Sequence, residues 1–167
     1  MRIGIDIDDT LVSTSESFEE VKKKHGLNLN KKFKGDWTPE ERKFIFEKYL
    51  KETLINAKIK ENAKEVLDEL NNRGHEIIVI TARTEKNCKG IEENTINFLQ
   101  KNNIKISEYY FSQYTKSDLA KEINLDLMVD DSFGVYQNMK ESKIDCMLFT
   151  ENTNWKDVLE YINKKEG

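Results

Sequence analysis

Residues 2–11, Arg-Ile-Gly-Ile-Asp-Ile-Asp-Asp-Thr-Leu, decide the fold. The isoleucines at every second position predict a β-strand over residues 2–7, and this strand ends in acidic residues. Asp6 and Asp8 are two residues apart, so their carboxylates point to the same side of an extended chain. We therefore expect the end of this strand to contribute to a functional site.

A second strand is predicted at Glu76-Ile-Ile-Val-Ile-Thr81, where an uninterrupted apolar run suits a sheet that is covered on both faces. Helices and strands alternate after it. The sequence predicts helices near 62–72, 90–102, 117–123, 133–140 and 154–164, and further strands near 108–111, 126–130 and 144–149. This alternation predicts an α/β fold, a doubly wound (Rossmann-like) parallel sheet with helices on both faces.

Only residues 13–60 fall outside the alternation. Ser13 or Ser15 is expected to cap a helix that ends near His25, with Gly26 as its stop. Thr38-Pro39-Glu40-Glu41 is a strong helix start, and the apolar spacing after it predicts one helix of about 19 residues. We interpret 13–60 as a small helical cap inserted after strand 1, and 1–12 with 61–167 as the α/β core domain.

Polar residues gather where the predicted strands end: at Asp6 to Thr10, at Thr81-Ala82-Arg83 and at Asp130-Asp131-Ser132. The ligand crevice of an open α/β sheet lies at these ends, so the three clusters are expected to converge. Several carboxylates cannot stay ionised together without a counter-charge, and Mg²⁺ is the simplest partner for oxygen ligands. Carboxylates, a metal and a lysine are what phosphoryl transfer through an aspartyl-phosphate requires.

Four motifs in order resemble those of the haloacid-dehalogenase-like (HAD) phosphatases. Asp6-Ile7-Asp8-Asp9-Thr10 matches the D-x-D-x-T motif, and Thr81 after the apolar strand matches the second motif. Lys116 stands where the family has its lysine, and Leu127-Met128-Val129-Asp130-Asp131 matches the fourth motif. The resemblance spans residues 1 to about 150 and implies the HAD fold and chemistry.

The resemblance also implies roles. Asp6 would be the nucleophile and Asp8 the general acid/base. The Mg²⁺ ligands would be Asp6, the Asp8 carbonyl and Asp131, with Asp130 in support, although the order of Asp130 and Asp131 stays open. Phosphate and substrate contacts would come from Asp9, Thr10, Thr81, Ala82, Arg83 and Lys116.

The motif spacing and Thr81-Ala82-Arg83 resemble the compact 5′(3′)-deoxyribonucleotidase branch, whose members commonly have Gly where this chain has Asp9. This favours a small phosphorylated substrate, a (deoxy)nucleoside monophosphate first. The alternatives are a sugar phosphate or a nucleic-acid 3′ end. A receiver-like phosphoacceptor is less favoured, because receivers carry their phosphoacceptor after the third strand, and a silent binding module would be free to lose the motif residues that are all present here.

Composition excludes several classes. The chain has 167 residues, of which 37% are hydrophobic and 35% charged, and its net charge of −4 disfavours a wholly basic nucleic-acid binder. No apolar run approaches the length of a membrane span. The two cysteines lack a C-x-x-C spacing and are expected to be reduced thiols in a cytoplasmic protein. Six lysines within residues 22–34 favour a solvated cap face, the alternative being a mouth for anions.

Overall fold

A computed structural model describes residues 1–167. Five strands form one sheet: β1 (Arg2–Ile5), β2 (Glu76–Ile80), β3 (Glu108–Tyr110), β4 (Leu127–Asp130) and β5 (Cys146–Leu148). The eight helices are α1 (Thr14–His25), α2 (Pro39–Lys48), α3 (Leu50–Asn56), α4 (Ala63–Asn72), α5 (Ile91–Lys101), α6 (Ser117–Glu122), α7 (Phe133–Glu141) and α8 (Trp155–Glu166).

The sheet is parallel throughout, with the order β3-β2-β1-β4-β5. The chain builds outward from β1 to β2 and β3 on one side and to β4 and β5 on the other. The neighbouring strands β1 and β4 therefore flank the point at which the strand order reverses, where α/β sheets bind their ligands. The predicted fold class, a doubly wound parallel sheet with helices on both faces, is confirmed.

Each face of the sheet buries its own apolar cluster. Alternate strand residues such as Ile3, Ile5 and Val129 pack against α4, α5 and α8, while Ile78, Ile80 and Met128 pack with residues of α6 and α7. This explains why the strands are apolar without interruption. Gly4 leaves room for the second cluster, since a Cβ there would lie 2.8 Å from the Met128 sulfur.

The segment 13–60 contains α1, α2 and α3 and buries an aromatic cluster. Phe18 is fully buried, with its ring centroid 5.5 Å from those of both Phe33 and Trp37. Ile45, Leu50 and Leu54 of the same segment also belong to this cluster. Cys88 and Ile91 from the rest of the chain complete it. The aromatic residues therefore serve mainly as packing between the helices.

Two local predictions for this segment need correction. The single helix predicted after Thr38 is two helices, because the backbone leaves the helical region at Tyr49, where φ is −128°. The capping box at Thr38 and Glu41 is present as predicted. At α1, neither Ser13 nor Ser15 provides a side-chain cap. Instead, the Asp9 carboxylate accepts hydrogen bonds from the Ser15 N–H (2.7 Å) and hydroxyl (2.5 Å).

Candidate active site

The backbone around Asp6 joins β1 to β4 beyond the last paired strand residue. The Asp6 N–H donates to the Val129 carbonyl at 3.0 Å, which fixes the Asp6 side chain beside the end of β4. The chain then turns sharply, and Asp9 takes a left-handed conformation with φ of 61°. Asp and Asn tolerate that region better than most residues. The turn is therefore compatible with the aspartate found there.

Lys116 lies between two carboxylates. Its Nζ is 2.7 Å from Asp6 Oδ1 and 2.7 Å from Asp130 Oδ2, and its side chain is 3% exposed. Burial alone would lower the pKa of this ammonium group, but the charges of Asp6 and Asp130 raise it above its ordinary value. Lys116 also has a φ of 65°, a strained conformation for a lysine that these two ion pairs help to hold.

Asp6, Asp130 and Asp131 form the acidic side of this site. One oxygen from each lies within 4.8 Å of the others. Burial first, and then the neighbouring Asp6 carboxylate, raise the pKa of both Asp130 and Asp131. Three carboxylates face one ammonium group, which leaves two formal negative charges when all are ionised. A divalent cation with oxygen ligands fits this charge and this donor set.

The two acids of β4 differ in how much of their carboxylate is free. Asp130 is 1% exposed, and it accepts from Lys116 with one oxygen and from the Ser132 N–H at 2.8 Å with the other. Asp131 accepts only a 3.3 Å hydrogen bond from the Thr10 hydroxyl, which also lies 3.4 Å from Asp6 Oδ2. Asp131 is therefore the carboxylate with more free oxygen for a cation.

Asp8 belongs to a second ion pair. Arg83 Nη2 donates to Asp8 Oδ1 at 2.8 Å and Arg83 Nε to Oδ2 at 3.1 Å, while the Thr14 hydroxyl donates to Oδ1 at 2.5 Å. Burial alone would raise the pKa of Asp8, but the charge and hydrogen bonds of Arg83 lower it to about 2. The Asp8 carboxylate is not part of the Asp6, Asp130 and Asp131 cluster.

A cavity of about 380 Å³ opens above the strand ends. Its lining comprises Asp6, Asp8, Asp9, Phe33, Lys34, Ala82, Tyr114, Lys116, Asp130, Asp131, Ser132 and Val135. Thr10, Thr81 and Arg83 are buried and do not line it. The Thr81 hydroxyl accepts from the Arg83 N–H at 3.1 Å. The structure thus brings the three predicted clusters together, but Thr81 lies behind the cavity wall, and Arg83 borders only a smaller adjoining cavity of about 30 Å³.

Two residues that line this cavity, Tyr114 and Lys34, lie outside the four motifs. Tyr114 is 61% exposed and precedes Lys116 by two residues. Lys34 lies in the segment 13–60 and has no ion-pair partner. In contrast, the nearby lysines pair with glutamates: Lys24 with Glu52, Lys31 with Glu41 and Lys32 with Glu151. The sequence favoured a solvated face for the lysine-rich stretch, with a mouth for anions as the alternative, and nothing in it distinguished Lys34 from its neighbours or pointed to Tyr114.

Thr14 and Thr95 are also absent from the sequence prediction, and Ser15 was expected there only as a helix cap. Thr14 and Ser15 donate hydrogen bonds to Asp8 and Asp9 in the acidic turn. Thr95 accepts a hydrogen bond from Arg83, the partner of Asp8. None of the four motifs quoted above includes Thr14, Ser15 or Thr95.

No helix of this chain is long and apolar enough to cross a membrane.

No protein-family model and no curated protein matches the chain, whereas solved structures match it over nearly its whole length. A HAD-superfamily hydrolase of Ehrlichia chaffeensis is 16% identical, with a TM-score of 0.58 over 99% of this chain and 97% of that one. A predicted phosphoglycolate phosphatase of Haemophilus somnus is 18% identical, with a TM-score of 0.57 over 96% and 97%.

A third structure carries a bound sugar phosphate. CbbY of Rhodobacter sphaeroides, solved with xylulose-1,5-bisphosphate, is 12% identical, with a TM-score of 0.52 over 92% of this chain and 89% of that one. These identities are low, so the likeness establishes architecture. The strand order of the sheet and the helical segment after β1 are consistent with these structural matches. The chain therefore has the fold of the haloacid-dehalogenase-like hydrolases.

Proposed function

We propose that this protein is a Mg²⁺-dependent phosphomonoester hydrolase that works through an aspartyl-phosphate on a small phosphorylated metabolite. One observation carries the proposal: Lys116 bridges Asp6 and Asp130 beside Asp131, at the switch point of the sheet. A carboxylate that must attack a phosphate anion needs positive charge around it, and this arrangement supplies an ammonium group and a place for a cation.

In the first step a carboxylate oxygen of Asp6 attacks phosphorus. The new bond to Asp6 forms as the ester P–O bond breaks. Because Arg83 keeps Asp8 ionised in the free protein, Asp8 would pass to the departing alkoxide the proton that a phosphomonoester monoanion brings into the site. Lys116 keeps the Asp6 carboxylate in place and offsets charge on the transferred phosphoryl group. In the second step water attacks phosphorus and gives its proton to Asp8, the bond to Asp6 breaks, and inorganic phosphate leaves.

Asp6 and Asp131 would hold the Mg²⁺ with the Asp8 carbonyl, and Asp130 would support them from its bonds to Lys116 and Ser132. When bound, the cation would neutralise phosphate charge and hold the phosphoryl group in line with Asp6. Thr10 would keep Asp131 and Asp6 oriented through its hydroxyl. Thr81 would act in the same indirect manner, because its hydroxyl is bonded to the backbone N–H of Arg83.

A (deoxy)nucleoside monophosphate is the substrate we favour. The cavity of about 380 Å³ suits a small molecule, and the exposed ring of Tyr114 at its edge offers a face for a base. Lys34 offers an unpaired cation to the substrate. A sugar phosphate is the second candidate, because the similar CbbY structure holds xylulose-1,5-bisphosphate.

A phosphate-release screen tests the proposal. The purified protein is incubated with nucleoside monophosphates, sugar phosphates and oligonucleotides with 3′-phosphates, with Mg²⁺ or with EDTA, and the Asp6→Asn variant is the control for contaminating phosphatases. We expect Mg²⁺-dependent release that the variant lacks, highest on mononucleotides. Higher activity on 3′-phosphorylated oligonucleotides would indicate a nucleic-acid end-processing enzyme. No release from any substrate, or a stable phosphoprotein without turnover, would contradict the hydrolase.

A further inference from the structure

We propose that Arg83 is a positioning residue that holds the general acid Asp8, and that it does not contact the substrate. This inference rests on the proposed phosphatase function and assigns to Arg83 a role different from the phosphate contact expected from the sequence. The guanidinium of Arg83 has five N–H donors, and four of them have partners within the protein.

Two of the donors form a fork on Asp8. The Nε and Nη2 groups meet the two carboxylate oxygens at 3.1 and 2.8 Å, and the Arg83 side chain is 4% exposed. A planar guanidinium matches a carboxylate in this two-point geometry, which fixes the direction of the carboxylate as well as its distance. The positive charge of Arg83 is thereby matched by the ionised Asp8 before any substrate arrives, so Asp8 would receive the proton that it passes on only with the substrate.

The other side of the guanidinium is anchored in the protein. Nη1 donates to the Thr95 hydroxyl on α5 at 2.9 Å, and Nη2 lies 3.4 Å from the Leu54 carbonyl at the end of α3. A residue that is meant to bind a substrate phosphate presents donors to the cavity. Arg83 instead uses four of its five donors on Asp8, α5 and α3. Its neighbour Ala82 lines the main cavity, whereas Arg83 borders only a smaller adjoining cavity of about 30 Å³.

Precise orientation of Asp8 matters because of its proposed task. A general acid must reach the leaving oxygen within hydrogen-bond distance, and general acid–base catalysis contributes on the order of 10²–10⁴ in rate. The Thr14 hydroxyl holds Asp8 Oδ1 from α1 at 2.5 Å. Asp8 is therefore fixed by the core through Arg83 and by the cap through Thr14, with only a small fraction of its surface facing the cavity.

The leaving group of the substrate separates a positioning role from direct binding. Arg83→Met is compared with wild type by kcat/KM on p-nitrophenyl phosphate and on the alkyl phosphomonoester that wild type hydrolyses best. The ratio kcat/KM reflects the steps from substrate binding up to the departure of the alcohol. A nitrophenolate leaves without a proton, whereas an alkoxide needs one. We expect a loss of roughly 100-fold on the alkyl ester and less than about 10-fold on the aryl ester.

Equal losses on both esters would overturn the inference, because both carry the same phosphate and a direct phosphate contact or a general loss of structure would affect them alike. Arg83→Lys keeps the charge but not the fork, so we expect it to recover part of the alkyl-ester activity. If wild type hydrolyses neither ester nor any screened substrate, the proposed function fails. If wild type is active but the losses are equal, only the role of Arg83 fails.

A double-mutant cycle gives the second test. If Arg83 acts through Asp8, adding Arg83→Met to Asp8→Asn should change kcat/KM on p-nitrophenyl phosphate by less than about twofold, whereas independent roles would multiply. Should Arg83→Met fail to fold by circular dichroism, Thr95→Val removes one anchor and leaves the arginine in place. We expect it to lower alkyl-ester activity by about fivefold and spare the aryl ester, and an equal effect on the two esters would again overturn the inference.

Discussion

The two aspartates of the D-x-D motif are two residues apart, and each is paired with a buried cation, but the surroundings of the two pairs differ. Asp6 is paired with Lys116, and its other polar neighbours are Thr10 in the turn after β1 and the acids Asp130 and Asp131 at the end of β4. Asp8 is paired with Arg83, and its other partners include Thr14 and, through Arg83, the Leu54 carbonyl, both in the segment 13–60.

This difference fits the two tasks that we propose for these aspartates. The Asp6 pair leaves net negative charge and free carboxylate oxygen, as a cation site and a nucleophile require. The Asp8 pair is close to neutral and saturated with hydrogen bonds, which suits a group that must keep one direction. Its partners lie both in the segment 13–60 and in the rest of the chain. Variants on each side can break or sharpen this contrast.

The largest effect is expected for Asp6→Asn. The amide keeps the shape of the side chain but removes the nucleophilic oxygen, and Lys116 keeps its partner Asp130. We expect phosphate release to fall by at least about 10³-fold, with an unchanged circular dichroism spectrum. Substantial activity in this variant would remove Asp6 from the nucleophile role and with it the contrast between the two halves.

Lys116→Met should come next. It leaves Asp6 and Asp130 without their shared cation, so we expect kcat/KM to fall by about 10²-fold or more. In contrast to Arg83→Met, the loss should be equal on aryl and alkyl esters, because Lys116 acts on the nucleophile and the phosphoryl group. Lys121→Met, an exposed lysine on α6, is the matched control and should stay within about twofold of wild type. A leaving-group dependence for Lys116→Met would contradict this assignment.

The contrast also marks how far the sequence could predict the molecule. The strands, most helices and the convergence of three strand ends were predictable, because apolar runs and strand-end acids are local patterns that the parallel sheet brings together. Lys116 was predictable from its place before the fourth motif. The Asp6 half is thus described by motif residues alone.

The Asp8 half depends on contacts between distant residues that leave no local pattern. Thr-Ala-Arg suggested a phosphate contact, yet the Arg83 side chain turns toward Thr95 and the Leu54 carbonyl, which only the packed helices place behind it. The hydrogen bonds from Ser15 of α1 to Asp9 span only six residues, but they depend on the left-handed turn at Asp9, which the sequence did not indicate.

A smaller effect is expected when one carboxylate of the cation site is removed. Mg²⁺ should raise the melting temperature of the wild-type protein, because it neutralises Asp6, Asp130 and Asp131 in the folded state only. Asp131→Asn should weaken Mg²⁺ binding by roughly tenfold and shrink this rise, while relief of carboxylate repulsion should keep the Mg²⁺-free protein at least as stable as wild type.

Thermal melts across a Mg²⁺ titration, with EDTA as the reference, measure both effects. Asp126→Asn is the matched control: it lies at the opposite end of β4, where an asparagine oxygen can still accept from the Arg2 N–H. An unchanged Mg²⁺ response in Asp131→Asn would place the cation elsewhere, and an equal change in Asp126→Asn would indicate a nonspecific charge effect.

The smallest effect is expected at Asp9, which stands where branch members commonly have glycine and connects the acidic turn to α1. Its carboxylate accepts from the N–H and hydroxyl of Ser15, in the first turn of α1. Asp9→Asn keeps an acceptor oxygen and tolerates the left-handed backbone, so it removes mainly the negative charge at the helix N-terminus. We expect the free energy of unfolding in urea to fall by about 0.5–1 kcal/mol, and hydrogen exchange to rise in α1 but not in β1 or β4. A loss of several kcal/mol, or faster exchange in β1 and β4, would mean that this turn stabilises the Asp6 half as well, and the two halves would then form one structural unit.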